Sequence, residues 1–255
     1  MGIFVAFDKD GTRAYGLLED KTILELEKPP WISTELSGRK FPKQEMKLLC
    51  PSAPSKIILT GLNYKEHIKE SASAAKEFDE PVIALKAPSA LIGPEELIIH
   101  PGTGVEVHFE GELALVIGKK AKKVFKEEAP NYIFGYTCLN DVTARNLQKK
   151  DVQWSRAKSF DTFCPVGPWI VTDLEPNGLK ITTRQNGFVK QDSATDKMIW
   201  SPSELVSFIS GFMTLYPGDL ISTGTPAGVG PLLPEDLIEI EIEKIGLLKN
   251  RVIAA

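Results

Sequence analysis

The segment at residues 105–118, VEVHFEGELALVIG, constrains the fold of this chain more than any other. Successive side chains of a β-strand point to opposite faces, so the odd-numbered residues, which are apolar or glycine, form one stripe. The other face carries Glu106, His108, Glu110 and Glu112. The pattern predicts a strand with one apolar and one acidic face, and its simplest interpretation is an antiparallel strand with its acidic face in water.

The acidic face also permits a second interpretation, a divalent metal site. Neighbouring carboxylates repel each other, and burial increases that cost unless protons, cationic side chains or a metal ion compensate. Asp141, in the segment GYTCLNDVTARNLQ, supplies a third carboxylate. The oxygen donors of Glu110, Glu112 and Asp141 favour Mg²⁺ or Mn²⁺ over zinc, with Ca²⁺ as a non-native occupant. Three carboxylates leave coordination positions for water and a bidentate substrate, as a catalytic metal requires.

A histidine and a glutamate three residues apart lie in NYKEHIKE, inside a helix that we predict at residues 64–78. His67 and Glu70 therefore share one helix face and can form a hydrogen bond. A carboxylate that holds one ring nitrogen orients the other as a general base toward water. The alternative is a solvent-exposed pair on a charged helix, which the spacing alone favours.

Four further side chains are candidates for substrate contacts. Lys158, in WSRAKSFDTFCPVGPW, could stabilise a developing enolate or carboxylate, or could be an ordinary surface lysine. Arg145 and Gln148 follow Asp141 by four and seven residues, so on a helix at residues 142–150 they could reach a substrate carboxylate. Thr225, in ISTGTPAGVGP, is a candidate hydrogen-bond donor in a segment without the GK[ST] ending of a nucleotide-binding loop. A structural loop is the alternative there.

Composition excludes several classes of partner. With 42% hydrophobic and 25% charged residues, the 255-residue chain has an ordinary globular composition. Its net charge of -4 provides no broad basic field, so we expect neither nucleic acid nor a membrane surface as a partner. Cys50, Cys138 and Cys164 show neither disulfide nor zinc spacing, and no apolar run is long enough to cross a membrane. These features predict a cytoplasmic protein.

The order of predicted elements indicates two parts. Residues 1–50 predict a small N-terminal β domain, with strands at 3–7, 14–18 and 22–26 and a Pro- and Gly-containing connector at 28–47. Residues 51–255 predict a second domain, in which helices are scattered among short strands. This arrangement is typical of a strand-rich α+β fold and not of a regular βαβ array.

Seven motifs together resemble the fumarylacetoacetate hydrolase family in order and spacing: GLNYKEHIKE, LKAPSALIGP, FEGELALVIGK, GYTCLNDVTARNLQ, AKSFDTFCPVGPW, MIWSPSELVSFIS and PGDLISTGTPAGVGP. The resemblance covers roughly residues 56–252. Within the family, the chain is similar to the branch that contains acylpyruvate hydrolases and hydroxymuconate isomerase-decarboxylases. It implies a mixed β roll with a small N-terminal β domain, assembled as a homodimer. Two positions depart from the pattern: Asn146 stands where Asp is common, and an acidic residue is often found near the position of His108.

The resemblance also implies roles and an activity. It implies that Glu110, Glu112 and Asp141 bind Mg²⁺ or Mn²⁺, that His67 and Glu70 activate water on a lid helix, that Lys158 stabilises negative charge near the metal, and that Arg145, Gln148 and Thr225 lie near the substrate. The implied reaction is metal-dependent hydrolysis of a carbon–carbon bond in a small 2,4-dioxo acid of the acylpyruvate or fumarylacetoacetate type. Two alternatives use the same site, namely decarboxylation of a β-oxo acid such as oxaloacetate and isomerisation of a hydroxymuconate-type diene in aromatic catabolism. A non-catalytic metal-binding protein is a third.

Overall fold

The computed structural model describes residues 1–70 and 79–255 of the chain. As the sequence predicts, strands dominate and helices are short and few. The strands, in chain order, are β1 (Ile3–Lys9), β2 (Thr12–Glu19), β3 (Thr22–Leu26), β4 (Leu36–Pro42), β5 (Leu48–Leu49), β6 (Ile57–Gly61), β7 (Val82–Lys86), β8 (Leu91–Ile92), β9 (Ile98–His100), β10 (Val107–Phe109), β11 (Gly111–Ile117), β12 (Ile133–Asn140), β13 (Thr143–Ala144), β14 (Cys164–Val171), β15 (Lys180–Gln185), β16 (Phe188–Ala194), β17 (Leu220–Ser222), β18 (Gly230–Pro231), β19 (Leu237–Ile242) and β20 (Gly246–Ala254). The α-helices are α1 (Lys65–Glu70), α2 (Arg145–Lys150), α3 (Ser155–Lys158) and α4 (Pro202–Phe212).

The strands form three sheets within the described residues. The largest has twelve strands, with the path β4-β3-β2-β1-β14-β12-β11-β17-β6-β7 and with β5 and β8 paired to β1 and β14. A five-stranded sheet runs β16-β15-β19-β20-β9, and a three-stranded sheet runs β13-β10-β18. Because β1 pairs with β14 through Ile3 opposite Val171, the N-terminal strands continue the main sheet.

The N-terminal part, residues 1–50, contains two more strands than the sequence suggests, β4 and the two-residue β5. The three predicted strands are present as β1, β2 and β3, but the predicted connector at 28–47 is wrong over Leu36–Pro42, which pairs with β3 as β4. This strand lies at the edge of the sheet, and its residues are exposed or half-buried. It therefore lacks the alternating apolar pattern by which a half-buried strand is recognised in a sequence.

The predicted strand at 105–118 is two strands, β10 and β11, which are interrupted at Glu110. All seven residues of β11 are buried. Leu113 and Leu115 pack into one apolar core, whereas Ala114 and Val116 pack into another on the opposite side. A water-exposed acidic face is therefore the wrong interpretation for β11, because that strand is covered on both faces.

The helices position the remaining site residues. Helix α4 begins after Ser201, whose hydroxyl and Glu204 form a reciprocal capping box. Helix α1 covers the first part of the predicted helix at 64–78, and residues 71–78 lie outside the described part of the chain. Helix α2 begins later than predicted, because Thr143–Ala144 pairs with β10 as β13. In the described ranges, 1–70 and 79–255, no helix is long and apolar enough to cross a membrane.

Candidate active site

Strand register brings together the three carboxylates that the sequence predicts as metal ligands. β11 and β12 pair with Gly111 opposite Asn140, and the Asp141 amide donates to the Glu110 carbonyl oxygen at 2.9 Å. Gly111 also allows β11 to pack closely on β15, because a β-carbon there would lie 2.2 Å from the Thr183 hydroxyl oxygen. One oxygen each of Glu110, Glu112 and Asp141 lies within 4.8 Å of the others, and all three residues are buried. The cluster can hold a metal ion.

Cations surround two of these carboxylates. The Lys158 ammonium, on α3, donates to Glu110 Oε2 at 2.7 Å and to Asp141 Oδ2 at 2.5 Å. Arg145 donates to Glu110 Oε1 at 2.5 Å. Lys86 Nζ, at the end of β7, lies 2.7 Å from Asp141 Oδ1 and donates to the Val142 carbonyl oxygen. The positively charged side chains near the cluster therefore lie beside Glu110 and Asp141.

The sequence analysis did not single out Lys86. The sequence offers one signal for it, a lysine at the end of the apolar run VIALK. If the strand ended inside the protein, this lysine would be buried, and a buried lysine needs a partner. In the structure the side chain is fully buried. A buried lysine requires a charged or polar partner, and here the partners are Asp141 and two backbone carbonyls, those of Val142 and Phe163.

Glu112 is the carboxylate of the cluster that no cation of the described residues pairs with. Its Oε2 accepts hydrogen bonds from the Ser222 hydroxyl and from the Gly224 amide at 2.7 Å. Among the described residues it forms no ion pair with a cation. Burial raises the pKa of Glu112 well above its usual range, and the nearby Asp141 and Glu110 raise it further. The Glu110 pKa is lowered, because Lys158 and Arg145 outweigh the opposing effect of burial.

The chemistry of this donor set fits a hard divalent cation. All three ligand atoms are carboxylate oxygens, and the negative charge that protein cations leave uncompensated lies at Glu112. Oxygen-only donors suit Mg²⁺ or Mn²⁺ better than zinc. Lys158 stays protonated, because Asp141 and Glu110 outweigh the effect of burial and raise its pKa.

The predicted histidine–glutamate pair lines the same cavity as the three carboxylates. This cavity has a volume of about 400 Å³. His67 Nδ1 lies 3.5 Å from Glu70 Oε2, which is long for a hydrogen bond. Glu70 instead accepts from the Gly228 amide at 3.0 Å. Burial lowers the pKa of His67, so its imidazole is neutral near pH 7 and can accept a proton.

The three residues predicted near the substrate also line this cavity, and each already has protein partners. Arg145 donates to Gln148 Oε1 at 2.6 Å as well as to Glu110. Thr225 donates to the Gly111 carbonyl oxygen at 2.9 Å and accepts from the Gln191 amide. The Thr225 hydroxyl proton is therefore used in a hydrogen bond to β11. Donation of a hydrogen bond from Thr225 to a substrate stays a prediction.

A second histidine–glutamate pair lies in the cavity, on β10 and the residue before it. His108 Nε2 is 2.7 Å from Glu106 Oε1, and both residues line the cavity. The sequence places both residues on the acidic face with Glu110 and Glu112, and in the structure all four line the same cavity.

Family models match nearly the whole chain. The model described as fumarylacetoacetate (FAA) hydrolase C-terminal matches residues 56–253, and the model described as Rv2993c-like, N-terminal matches residues 4–51. The chain belongs to the fumarylacetoacetate hydrolase family. The resemblance expected from the seven motifs is thereby confirmed.

Members of the fumarylacetoacetate hydrolase family with stated activities resemble this chain closely. The crystal structure of a 2-hydroxyhepta-2,4-diene-1,7-dioate isomerase from Mycobacterium marinum superposes with a TM-score of 0.92 at 42% identity, covering 100% of this chain and 99% of that chain. The mitochondrial oxaloacetate tautomerase FAHD2A of Bos taurus is 41% identical over 84% of this chain and 71% of that protein. A maleylpyruvate hydrolase from Sphingobium sp. SYK-6, in complex with manganese (II) ion and pyruvate, has a TM-score of 0.81 and 29% identity, with full coverage of both chains.

Membership of this family, together with these relatives, indicates that the protein is an enzyme. Isomerase, tautomerase and hydrolase names all occur among them. The family and its strand-rich fold are confirmed.

Proposed function

We propose that the protein is a divalent-metal-dependent hydrolase that cleaves a carbon–carbon bond in a small 2,4-dioxo acid. The observation that carries this proposal is the position of His67, a buried and neutral base on the same cavity as the three carboxylates. A neutral base at this position can activate water, which hydrolysis requires and decarboxylation does not. The maleylpyruvate hydrolase relative, described with manganese and pyruvate, supports the proposal by likeness.

Glu110, Glu112 and Asp141 would hold the ion. When bound, a divalent cation would draw electron density from the substrate's 2-oxo oxygen and carboxylate. Lys158 and Arg145 keep Glu110 ionised and fixed in place, since both donate to it. The protonated Lys158 also adds a fixed positive charge where an enolate would develop.

The neutral imidazole of His67 would take one proton from a water molecule, whose oxygen would form a bond to the distal carbonyl carbon of the substrate. The carbon–carbon bond next to that carbonyl would then break, and its electron pair would pass to the 2-oxo fragment as an enolate. Protonation of the enolate carbon would yield a 2-oxo acid, and the other fragment would leave as a carboxylic acid. Glu70 would stabilise the His67 imidazolium as it forms, by rotating from the Gly228 amide toward Nδ1.

A second candidate function needs no water attack, namely tautomerisation or isomerisation of a 2-oxo acid, or decarboxylation of a β-oxo acid such as oxaloacetate. One observation favours it: Glu70 is closer to the Gly228 amide than to His67, so the water-activating pair is not formed in this structure. The relatives named isomerase and oxaloacetate tautomerase point the same way. All of these reactions pass through the same type of enolate.

The deciding experiment measures product formation from an acylpyruvate, oxaloacetate and a hydroxymuconate by mass spectrometry, with Mg²⁺ or Mn²⁺ and after exhaustive chelation. We expect turnover to require the ion. His67→Ala should abolish hydrolysis and spare decarboxylation. His100→Ala is the matched control, because both histidines are 8% exposed and His100 does not line the cavity.

Two outcomes would contradict the proposal. Full turnover after exhaustive chelation would exclude a required metal. Equal loss of hydrolysis and decarboxylation in His67→Ala would show that His67 does not act by activating water.

A further inference from the structure

One cation that lines the cavity has no partner among the described residues. Arg145 and Lys158 are paired with carboxylates of the cluster, but Lys149 lines the same cavity and, in the part of the chain that the structure describes, forms neither an ion pair nor a hydrogen bond. Its side chain is exposed at the cavity mouth. An ammonium group has three donors, so Lys149 can bind an anionic group of a ligand.

The position of Lys149 follows from helix α2. Arg145 and Lys149 are four residues apart on this helix, so they lie on one face about one turn, roughly 5.4 Å, apart. Arg145 reaches Glu110 at the inner end of the cavity. Lys149 therefore marks a point one turn farther out along the same wall.

The other side chains around Lys149 offer no free cationic charge among the described lining residues. Leu62, Trp154 and Val229 also line the cavity, and their side chains are largely apolar. Glu70 and Glu106 line the cavity as well, and their negative charges repel anions. Of the lysine and arginine side chains that line the cavity in the described residues, Lys149 is the one without a carboxylate partner, so it can complement a second negative charge.

We propose that Lys149 is a specificity-determining residue that binds a second anionic group of the substrate, so that the enzyme prefers 2-oxo dicarboxylic acids to 2-oxo acids with an apolar tail. This inference rests on the proposed function, because it takes the first carboxylate and the 2-oxo group to lie at the carboxylate cluster. The second carboxylate would then extend along α2 from Arg145 to Lys149.

The neighbouring Lys150 is a matched control. It has the same charge, lies on the same helix and is exposed, but it does not line the cavity. Consecutive residues of a helix point about 100° apart, so only Lys149 faces the ligand space. Because both side chains are exposed, Lys149→Gln and Lys150→Gln should fold alike.

The test is calorimetric titration of the Mg²⁺-loaded full chain with 2-oxoglutarate, a diacid, and with 2-oxobutyrate, a monoacid. We expect Lys149→Gln to weaken 2-oxoglutarate binding about tenfold, which corresponds to ~1.4 kcal/mol. Binding of 2-oxobutyrate should change less than about twofold, and Lys150→Gln should leave both acids unaffected.

Three results would overturn the inference. Equal effects of the two substitutions would show a general charge effect, and equal weakening of both acids would place Lys149 near the shared 2-oxo acid group. Tighter wild-type binding of the monoacid would contradict the preference itself. A wild-type protein that binds neither acid with Mg²⁺ present would overturn the proposed function and, with it, the role of Lys149.

Discussion

Two buried carboxylate sites in this protein differ in how their negative charge is compensated. In the N-terminal sheet, Glu25 on β3 accepts hydrogen bonds from Lys9 at 2.8 Å, from the Ser37 hydroxyl at 2.7 Å and from Arg39. In the cavity, Glu112 on β11 accepts from Ser222 and Gly224, two neutral donors. Glu25 thus faces two cations, whereas Glu112 faces two further carboxylates.

The difference appears in the pKa of each group. Burial favours the neutral form of both, but at Glu25 the hydrogen bonds from Lys9, Ser37 and Arg39 outweigh burial and lower the pKa. At Glu112 the neighbouring Asp141 adds to burial and raises the pKa. Glu25 is thus stabilised by cations of the protein itself, whereas the charge of Glu112, next to two other carboxylates, could be compensated by a bound metal ion.

The largest difference is expected in activity. Glu112→Gln should lower kcat/KM by about 10²–10³-fold, since under the proposed function it would remove a charged ligand from the site that would stabilise the developing enolate. Glu25→Gln should change kcat/KM by less than about twofold, because the two sites share no partner. Steady-state assays on the best 2-oxo acid substrate measure both. Comparable losses in the two variants would break the distinction between the sites.

Metal-dependent stabilisation should separate the sites without an activity assay. At an Mg²⁺ or Mn²⁺ concentration 100 times its dissociation constant, the free energy of unfolding of the wild type should rise by about 2.7 kcal/mol. Glu25→Gln should retain this increase and Glu112→Gln should lose most of it. Denaturant titrations with and without the ion measure the effect. An undiminished increase in Glu112→Gln would remove that residue from the ligand set.

Metal-free stability should show the opposite ranking. Glu25→Gln should lower the free energy of unfolding by about 2 kcal/mol, since it replaces charge-assisted hydrogen bonds by weaker ones. Glu112→Gln should change it by less than about 1 kcal/mol, because glutamine has the shape of the protonated glutamate that the raised pKa favours. Urea unfolding in the presence of a chelator tests the ranking. A larger loss in Glu112→Gln would contradict it.

The smallest expected effect is the pH dependence of the Glu25 contribution. A carboxyl group whose folded pKa is lowered stabilises the protein above its unfolded pKa, near the usual 4.5, and loses that contribution as pH falls through the folded pKa. The difference in unfolding free energy between wild type and Glu25→Gln should therefore be constant above about pH 5 and shrink below it. Unfolding titrations of the two proteins across this range measure it. A difference that grows on acidification would mean that the pKa is raised.

The sequence by itself determined the features that depend on neighbours within a few residues. Period-two alternation placed Glu110 and Glu112 near each other, and three-residue helical spacing did the same for His67 and Glu70. Ser201 followed by Glu204 marks the start of α4 for the same local reason. The seven motifs added the family, which in turn implied the strand-rich fold.

The tertiary structure alone decided which of these carboxylates are buried and what meets their charge. Glu112 is buried because β11 lies between β12 and β17 with an apolar core on each side. Lys86, on β7, forms an ion pair with Asp141. Arg145 forms an ion pair with Glu110, although its spacing from Asp141 in the sequence suggested that it contacts a substrate carboxylate. Such contacts join residues far apart in the chain, and they form only when strand order and register have been chosen among many competing pairings. A local sequence pattern does not specify the strand order and register, so it cannot predict these contacts.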